Sequence, residues 1–150
     1  MRVVIQRVQE ANVMVNDSIV GEIEKGVSLL IGVEEADEEA DALWLVKKIS
    51  QLRIFDDADG VMNLSLEDID GDVLAISQFT LHAKTKKGNR PSYIKAAQPE
   101  KAENLFNFFV QNLSDRLNKK VPTGQFGEHM IIDQINDGPV TIMIDTKNKE

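Results

Sequence analysis

MRVVIQRVQEANVMVNDSIVGEIEKGVSLLIGV, residues 1–33, decides the fold. Val3, Val4, Ile5 and Val8 form a short apolar run, and Val13 and Val15 alternate with polar neighbours. Two further runs follow, Ile19 to Ile23 and Val27 to Val33, the second bounded by Gly26 and Gly32. Period-two alternation and short β-branched runs between turn residues are the pattern of strands. Asn16-Asp17-Ser18 and Glu24-Lys25-Gly26 supply the turns, so the chain is expected to open as a β-meander.

Beyond this stretch the period changes. Asp37 is a plausible N-cap, and Ala42, Leu45, Val46, Ile49 and Leu52 recur at helical spacing with Lys47 and Lys48 late. Trp44 belongs to the packing face or edge of that helix. Asp56-Asp57-Ala58-Asp59-Gly60 reads as a turn. It is not an EF-hand loop, because counting from Asp56 or Asp57 gives Glu67 or Asp68 at position twelve without glycine at position six. Val61–Leu66 and Val73–Phe79 read as strands. Pro99 opens a second helix with Ala102, Leu105, Phe106, Phe109, Leu113 and Leu117 on one stripe. Extended segments are expected near 121–126, 130–135 and 140–144. The resulting fold class is α/β of the α+β type: a mostly antiparallel, barrel-like sheet with two packed helices, in one domain over residues 1–150.

With 150 residues, the chain can bury roughly 70% of its unfolded surface in one core. It is 42% hydrophobic and 28% charged, which separates it from disordered chains, and it has no apolar run of membrane-spanning length. The absence of cysteine excludes disulfides, thiolate catalysis and sulfur-based metal sites. Gln6 and Arg7 interrupt the N-terminal apolar run, so no secretory signal is read and a cytoplasmic location is expected. The net charge of −8 opposes nucleic-acid binding unless positive charge is gathered locally. It is gathered: Lys84, Lys86, Lys87, Arg90, Lys95 and Lys101 face a single acid, Glu100, over 84–101. Alone, this strip is equally well read as a solvated loop.

Phosphate-binding, dinucleotide-binding, zincin and nucleophile-elbow motifs are all absent. Two segments remain. Ser77-Gln78-Phe79-Thr80 ends a hydrophobic strand, where hydroxyls, an amide side chain and freed backbone N–H groups can face a substrate. Ser77 or Thr80 could pair with His82 as nucleophile and base, or the hydroxyls could simply finish a strand. Asn136-Asp137-Gly138-Pro139-Val140-Thr141 reads first as a turn, since X-Pro bonds are cis in only ~5% of folded cases.

These two segments together resemble the Ser-Gln-x-Thr and Asn-x-Gly-Pro-x-Thr motifs of D-aminoacyl-tRNA deacylases. The likeness extends through Gln6-Arg7-Val8, Met62-Asn63-Leu64-Ser65, Gly88-Asn89-Arg90-Pro91-Ser92 and Thr123-Gly124-Gln125-Phe126-Gly127. One departure is visible: Gly127-Glu128-His129-Met130 stands where the family pattern has Gly-Ala-Asp-Met, so the pocket rim differs at two positions while Met130 matches.

The resemblance implies a homodimer that hydrolyses the ester between a D-amino acid, or glycine, and the terminal ribose of tRNA. It implies catalytic roles for Ser77, Gln78, Phe79 and Thr80, and substrate-binding roles for Asn136, Gly138, Pro139, Arg7 and Met130. Gly138-Pro139 would be a cis pair inserted into the partner subunit's pocket, with Arg7 holding its loop. Thr80 would be either a nucleophile or a neighbour to an ester activated by the ribose 2'-hydroxyl. Lys84, Lys86, Lys87 and Arg90 would contact acceptor-end phosphates. The implied partners are aminoacylated tRNA and a second copy of the chain, with no DNA, membrane, metal or cofactor. Two rivals stay open: a hydrolase of another ester using His82, and a non-catalytic RNA-binding module, which would favour aromatics among the basic residues, where only Tyr93 occurs.

Overall fold

One long strand organises the sheet. In the computed structural model, which describes residues 1–150, β1 (Arg2–Val15) runs unbroken for 14 residues. Val3, Ile5 and Arg7 turn inward along its first half, and Ala11, Val13 and Val15 along its second. Asn16 and Asp17, at φ 49° and 63°, form the turn into β2 (Ser18–Ile23); two consecutive positive φ values match the right-handed twist of a two-residue hairpin. β2 pairs with Ala11–Val15 alone, and β3 (Gly26–Gly32) returns to pair with Arg2–Val8. The expected meander is thereby corrected: β1 is long enough to serve both neighbours, and the order is β2-β1-β3.

The connection from β3 contains α1 (Glu39–Gln51), the small hairpin β4 (Phe55–Asp56) and β5 (Met62–Leu64), and a short α2 (Leu66–Ile69). It leads to β6 (Asp72–Ser77), which lies parallel to β3 in an otherwise antiparallel sheet. β3 and β6 are buried on both faces, which explains their near-continuous apolar runs. On one face Val3, Ile5, Leu29 and Val73 pack under α1 and α3 (Pro99–Leu117), where Leu45, Phe109 and Leu113 are fully buried. On the other face Val8, Ala11, Val13, Ile23, Leu74 and Ile76 form a second cluster inside the curl of the sheet. Each large side chain buried in these layers contributes about 1.5–3 kcal/mol before the entropy cost of ordering it.

Several local expectations are corrected. The N-cap of α1 is Glu38, whose capping box uses Asp41; Asp37 is buried and accepts from the Glu34 N–H at 2.7 Å and from the Met1 ammonium. Trp44 keeps the edge position expected of it, half-buried against the core with Lys48 and Lys149 over its ring. The run 61–66 divides, because Ser65 and Asp68 cap each other and start α2. β6 stops at Ser77, and Phe79–His82 close into a 3-10 turn. Residues 121–126 form no strand, although Pro122 accepts from the Ala75 N–H at 3.0 Å.

The expected segments 130–135 and 140–144 are one strand, β7 (Ile131–Asp145), antiparallel to β1 along its other side. Opposite Arg7 the register breaks: Gln6 pairs with Thr141 and Val8 with Asn136, so residues 137–140 bulge out across from one residue of β1. The Gly138–Pro139 peptide bond inside this bulge is cis.

Candidate active site

The sheet delivers the two sequence segments to different places. At the end of β6, the Gln78 N–H donates to Ile31 O at 2.7 Å, and the 3-10 turn then runs Phe79-Thr80-Leu81-His82. The donors of that turn begin at Leu81, which bonds Gln78 O, so the Phe79 and Thr80 N–H groups stand outside its ladder. The Gln78 side-chain amide donates to Thr80 Oγ1 at 2.5 Å, tying the hydroxyl to the strand end. Beneath it, Gly32 makes room: a Cβ there would lie 2.9 Å from Gln78 O and about 3 Å from the His82 ring.

A cavity of about 270 Å³ opens beside this turn. Ser77, Gln78 and Phe79 form one side, and Phe126 with residues 127–130 forms the other, including Glu128, His129 and Met130. Val33, Ala102 and Ile132 complete an apolar lining. Of the residues singled out in the sequence, Ser77, Gln78, Phe79 and Met130 therefore meet here. Val33 and Ala102 were not legible as site residues, since an isolated aliphatic side chain carries no chemical signal.

His82 does not serve as a base for Ser77 or Thr80. Its side chain is 1% exposed, and neither ring nitrogen makes a hydrogen bond. The nearest charge is a Glu34 carboxylate oxygen 3.9 Å from Nδ1. His82 is thus a buried support of the turn, and the reading of a hydroxyl–histidine pair loses its geometry.

Arg2, which no motif singles out, ties the same turn to β7. Its Nη1 donates to Leu81 O at 3.0 Å and its Nε to Asp145 Oδ2 at 2.8 Å. Burial pushes the Asp145 carboxyl up, but the hydrogen bonds from Arg2 and from the Lys147 N–H outweigh it and hold the group below its ordinary value.

The second segment sits apart. Gly138, at φ +126°, and Pro139 are exposed at the tip of the β7 bulge, and neither lines the cavity. Arg7 anchors the bulge from below. Its Nε donates to Asp137 O and meets Asp137 Oδ2, both at 3.2 Å, while Nη1 donates to Ile54 O at 2.7 Å and to Asp56 Oδ1 at 3.3 Å. Arg7 is 6% exposed, so one buried guanidinium fixes the foot of an exposed loop. Asn136 lies at the base, its Oδ1 accepting from Gln134 at 2.7 Å. The basic residues Lys84, Lys86, Lys87 and Arg90 lie on an exposed loop that follows the 3-10 turn.

A family model described as D-Tyr-tRNA(Tyr) deacylase matches residues 4–145. The protein called D-aminoacyl-tRNA deacylase from Flavobacterium psychrophilum is 56% identical over 150 residues, covering both chains in full, and that from Bacteroides fragilis is 57% identical with the same coverage. Among solved structures, the c-Myc DNA Unwinding Element Binding Protein superposes with a TM-score of 0.90 at 35% identity, over 97% of this chain and 98% of that one. A probable eukaryotic D-amino acid tRNA deacylase gives a TM-score of 0.82 at 18% identity over 95% and 97% of the two chains, which speaks to the fold. With matches of this extent and a strand-end turn and Gly-Pro bulge in the places described, the chain belongs to the D-Tyr-tRNA(Tyr) deacylase family.

Proposed function

We propose that this protein is a homodimeric editing hydrolase that cleaves the ester between a D-amino acid, or glycine, and the 3'-terminal ribose of tRNA, and spares L-aminoacyl-tRNA. The observation that carries the reading is the end of β6, where Ser77, Gln78 and Phe79 line a mostly apolar cavity and Gln78 also tethers the hydroxyl of Thr80, with the Phe79 and Thr80 N–H groups outside the ladder of the turn. Donors placed there can hold the oxyanion that develops when the ester carbonyl is attacked, an effect of about 3–4 kcal/mol per donor in known cases. Kinship over the whole chain supports the same substrate class.

Chirality is read by the Gly138-Pro139 loop of a second copy. The loop is exposed and does not line its own chain's cavity, and β7, which carries it, is a 15-residue edge strand with no partner on its outer side. Ile131, Ile135 and Met143 are 51%, 49% and 72% exposed along it, an apolar edge that a second copy would cover. Inserted into the facing cavity, the loop's carbonyls crowd the position an L side chain needs. Glycine, having no side chain, passes.

The ribose 2'-hydroxyl assists the chemistry, and the protein positions the ester. Thr80 Oγ1 is held by Gln78, and no base reaches it, with His82 buried and unbonded. Lys84, Lys86, Lys87 and Arg90 hold acceptor-end phosphates, which fixes position without reading sequence. The test is hydrolysis of D-tyrosyl-tRNA, L-tyrosyl-tRNA and glycyl-tRNA by the purified protein, with release of D-tyrosine and glycine expected and L-tyrosine spared. Thr80→Ala should keep much of this activity, while a tRNA ending in 2'-deoxyadenosine should lose it. No turnover of any substrate by a folded dimer would move the reading to RNA binding.

A further inference from the structure

The sequence shows one aromatic residue among the basic residues after the 3-10 turn, and the fold supplies a second. Lys84 and Ser92 exchange backbone hydrogen bonds at 2.8 and 3.0 Å, closing the neck of the loop 85–91 and setting Tyr93 at its foot. There the Tyr93 ring meets Phe79 edge to face, with centroids 5.1 Å apart and planes at 75°. The two rings are 38% and 54% exposed, and Ile94 beside them is 78% exposed. Lys84, Lys86, Lys87, Arg90 and Lys95 stand exposed on the same segment as Tyr93, and none of them forms an ion pair within the chain. In a protein of net charge −8, five unneutralised cations on the segment that carries one of two open rings favour an anionic ligand with flat faces.

We propose that the Phe79–Tyr93 pair is a stacking platform for the base that precedes the terminal adenosine of the tRNA acceptor end. This rests on the deacylase reading, in which the terminal ribose ester enters the cavity lined by Phe79. Tyr93 lies one ring beyond Phe79 on the side of the basic loop, so a base one step back along an unpaired strand meets the Tyr93 face while its phosphate meets Lys84, Lys86 or Arg90. Stacking on an aromatic face is tolerant of sequence, and the lysines track the backbone. The platform gives the enzyme purchase on the single-stranded end common to all tRNAs, independent of the amino acid attached.

The experiment compares the intact protein with Tyr93→Ala, Tyr93→Leu and Tyr93→Trp. Each is assayed for binding of a fluorescent single-stranded RNA ending in CCA, and for hydrolysis of D-tyrosyl-tRNA and of D-tyrosyl-adenosine, which lacks the preceding nucleotides. A stacked base corresponds to about a tenfold loss of RNA affinity in Tyr93→Ala and Tyr93→Leu, with recovery in Tyr93→Trp. The KM for D-tyrosyl-tRNA should rise about tenfold more than that for D-tyrosyl-adenosine. Unchanged RNA affinity in Tyr93→Ala, full recovery in Tyr93→Leu, or equal losses on both esters would overturn the platform. If the wild-type protein hydrolyses neither ester, the deacylase reading fails, and the RNA affinities alone decide whether Tyr93 stacks a base.

Discussion

Arg2 and Arg7 stand five residues apart on β1 and hold the two halves of the candidate site, yet they do so in opposite settings. Arg2 is about one-third exposed and reaches sideways to Leu81 O at the end of the 3-10 turn and to Asp145. Arg7 is buried and holds the β7 bulge through Asp137, with Ile54 O and Asp56 as its other partners. The turn has further support, since it packs on His82 and Gly32 and lines a cavity. The bulge is held by Arg7 and by Val140, which packs against the core, and its tip lies in the open. A segment exposed in one chain and fixed by a buried charge fits the proposed insertion into a second copy.

The largest effect is expected at Arg7. Arg7→Ala leaves the Ile54 carbonyl and two carboxylates without their donor, and should lower the unfolding free energy by about 3 kcal/mol, the low end for breaking a buried pair because Asp56 and Asp137 stay partly in water. Urea unfolding measures that. In the folded fraction, the preference for D- over L-tyrosyl-tRNA should collapse, because the loop no longer keeps its place. A variant that loses stability and keeps full discrimination would show that the bulge is not what reads chirality.

Mixing variants sharpens the comparison. Ser77→Trp fills the cavity and should abolish turnover while leaving its own Gly138-Pro139 loop intact. If the loop acts across copies, a tenfold excess of Ser77→Trp over Arg7→Ala gives nearly every open cavity a sound loop from its partner. L-tyrosine release by the Arg7→Ala chains should then fall to about a tenth, as follows from random pairing in a two-fold dimer. Release that ignores the added variant would place loop and cavity in the same chain.

These contrasts also mark what the sequence could convey. The alternation in β1 and the apolar stripe of α3 were legible because a strand or helix advertises its buried face by its period. The basic strip was legible because charge is visible residue by residue. β7 was not legible as one strand, since a proline ordinarily ends strand pairing; here it is tolerated in a bulge on an edge strand. The Ser65–Asp68 capping signal was present in the sequence and was hidden by the apolar run around it. The cavity and the Phe79–Tyr93 contact join residues from elements distant in the chain, and no local pattern encodes such meetings.

The smallest effect belongs to Arg2 and its partner. Asp145→Asn keeps the shape of the side chain and removes the charge that orients Arg2 toward Leu81 O, and since the pair is partly exposed the loss at neutral pH should be about 1 kcal/mol or less. Its pH dependence identifies it. The Asp145 carboxyl titrates below its ordinary value of 3.8 in the folded chain, so its contribution is fully present above that pH and is lost as the pH falls through the lower folded value. The stability difference between wild type and Asp145→Asn should therefore be flat from neutrality down to about pH 4 and should close in stronger acid. A difference that widened there would mean that Asp145 is stabilised in its protonated form, and the turn would then owe its position to His82 and Gly32 rather than to Arg2.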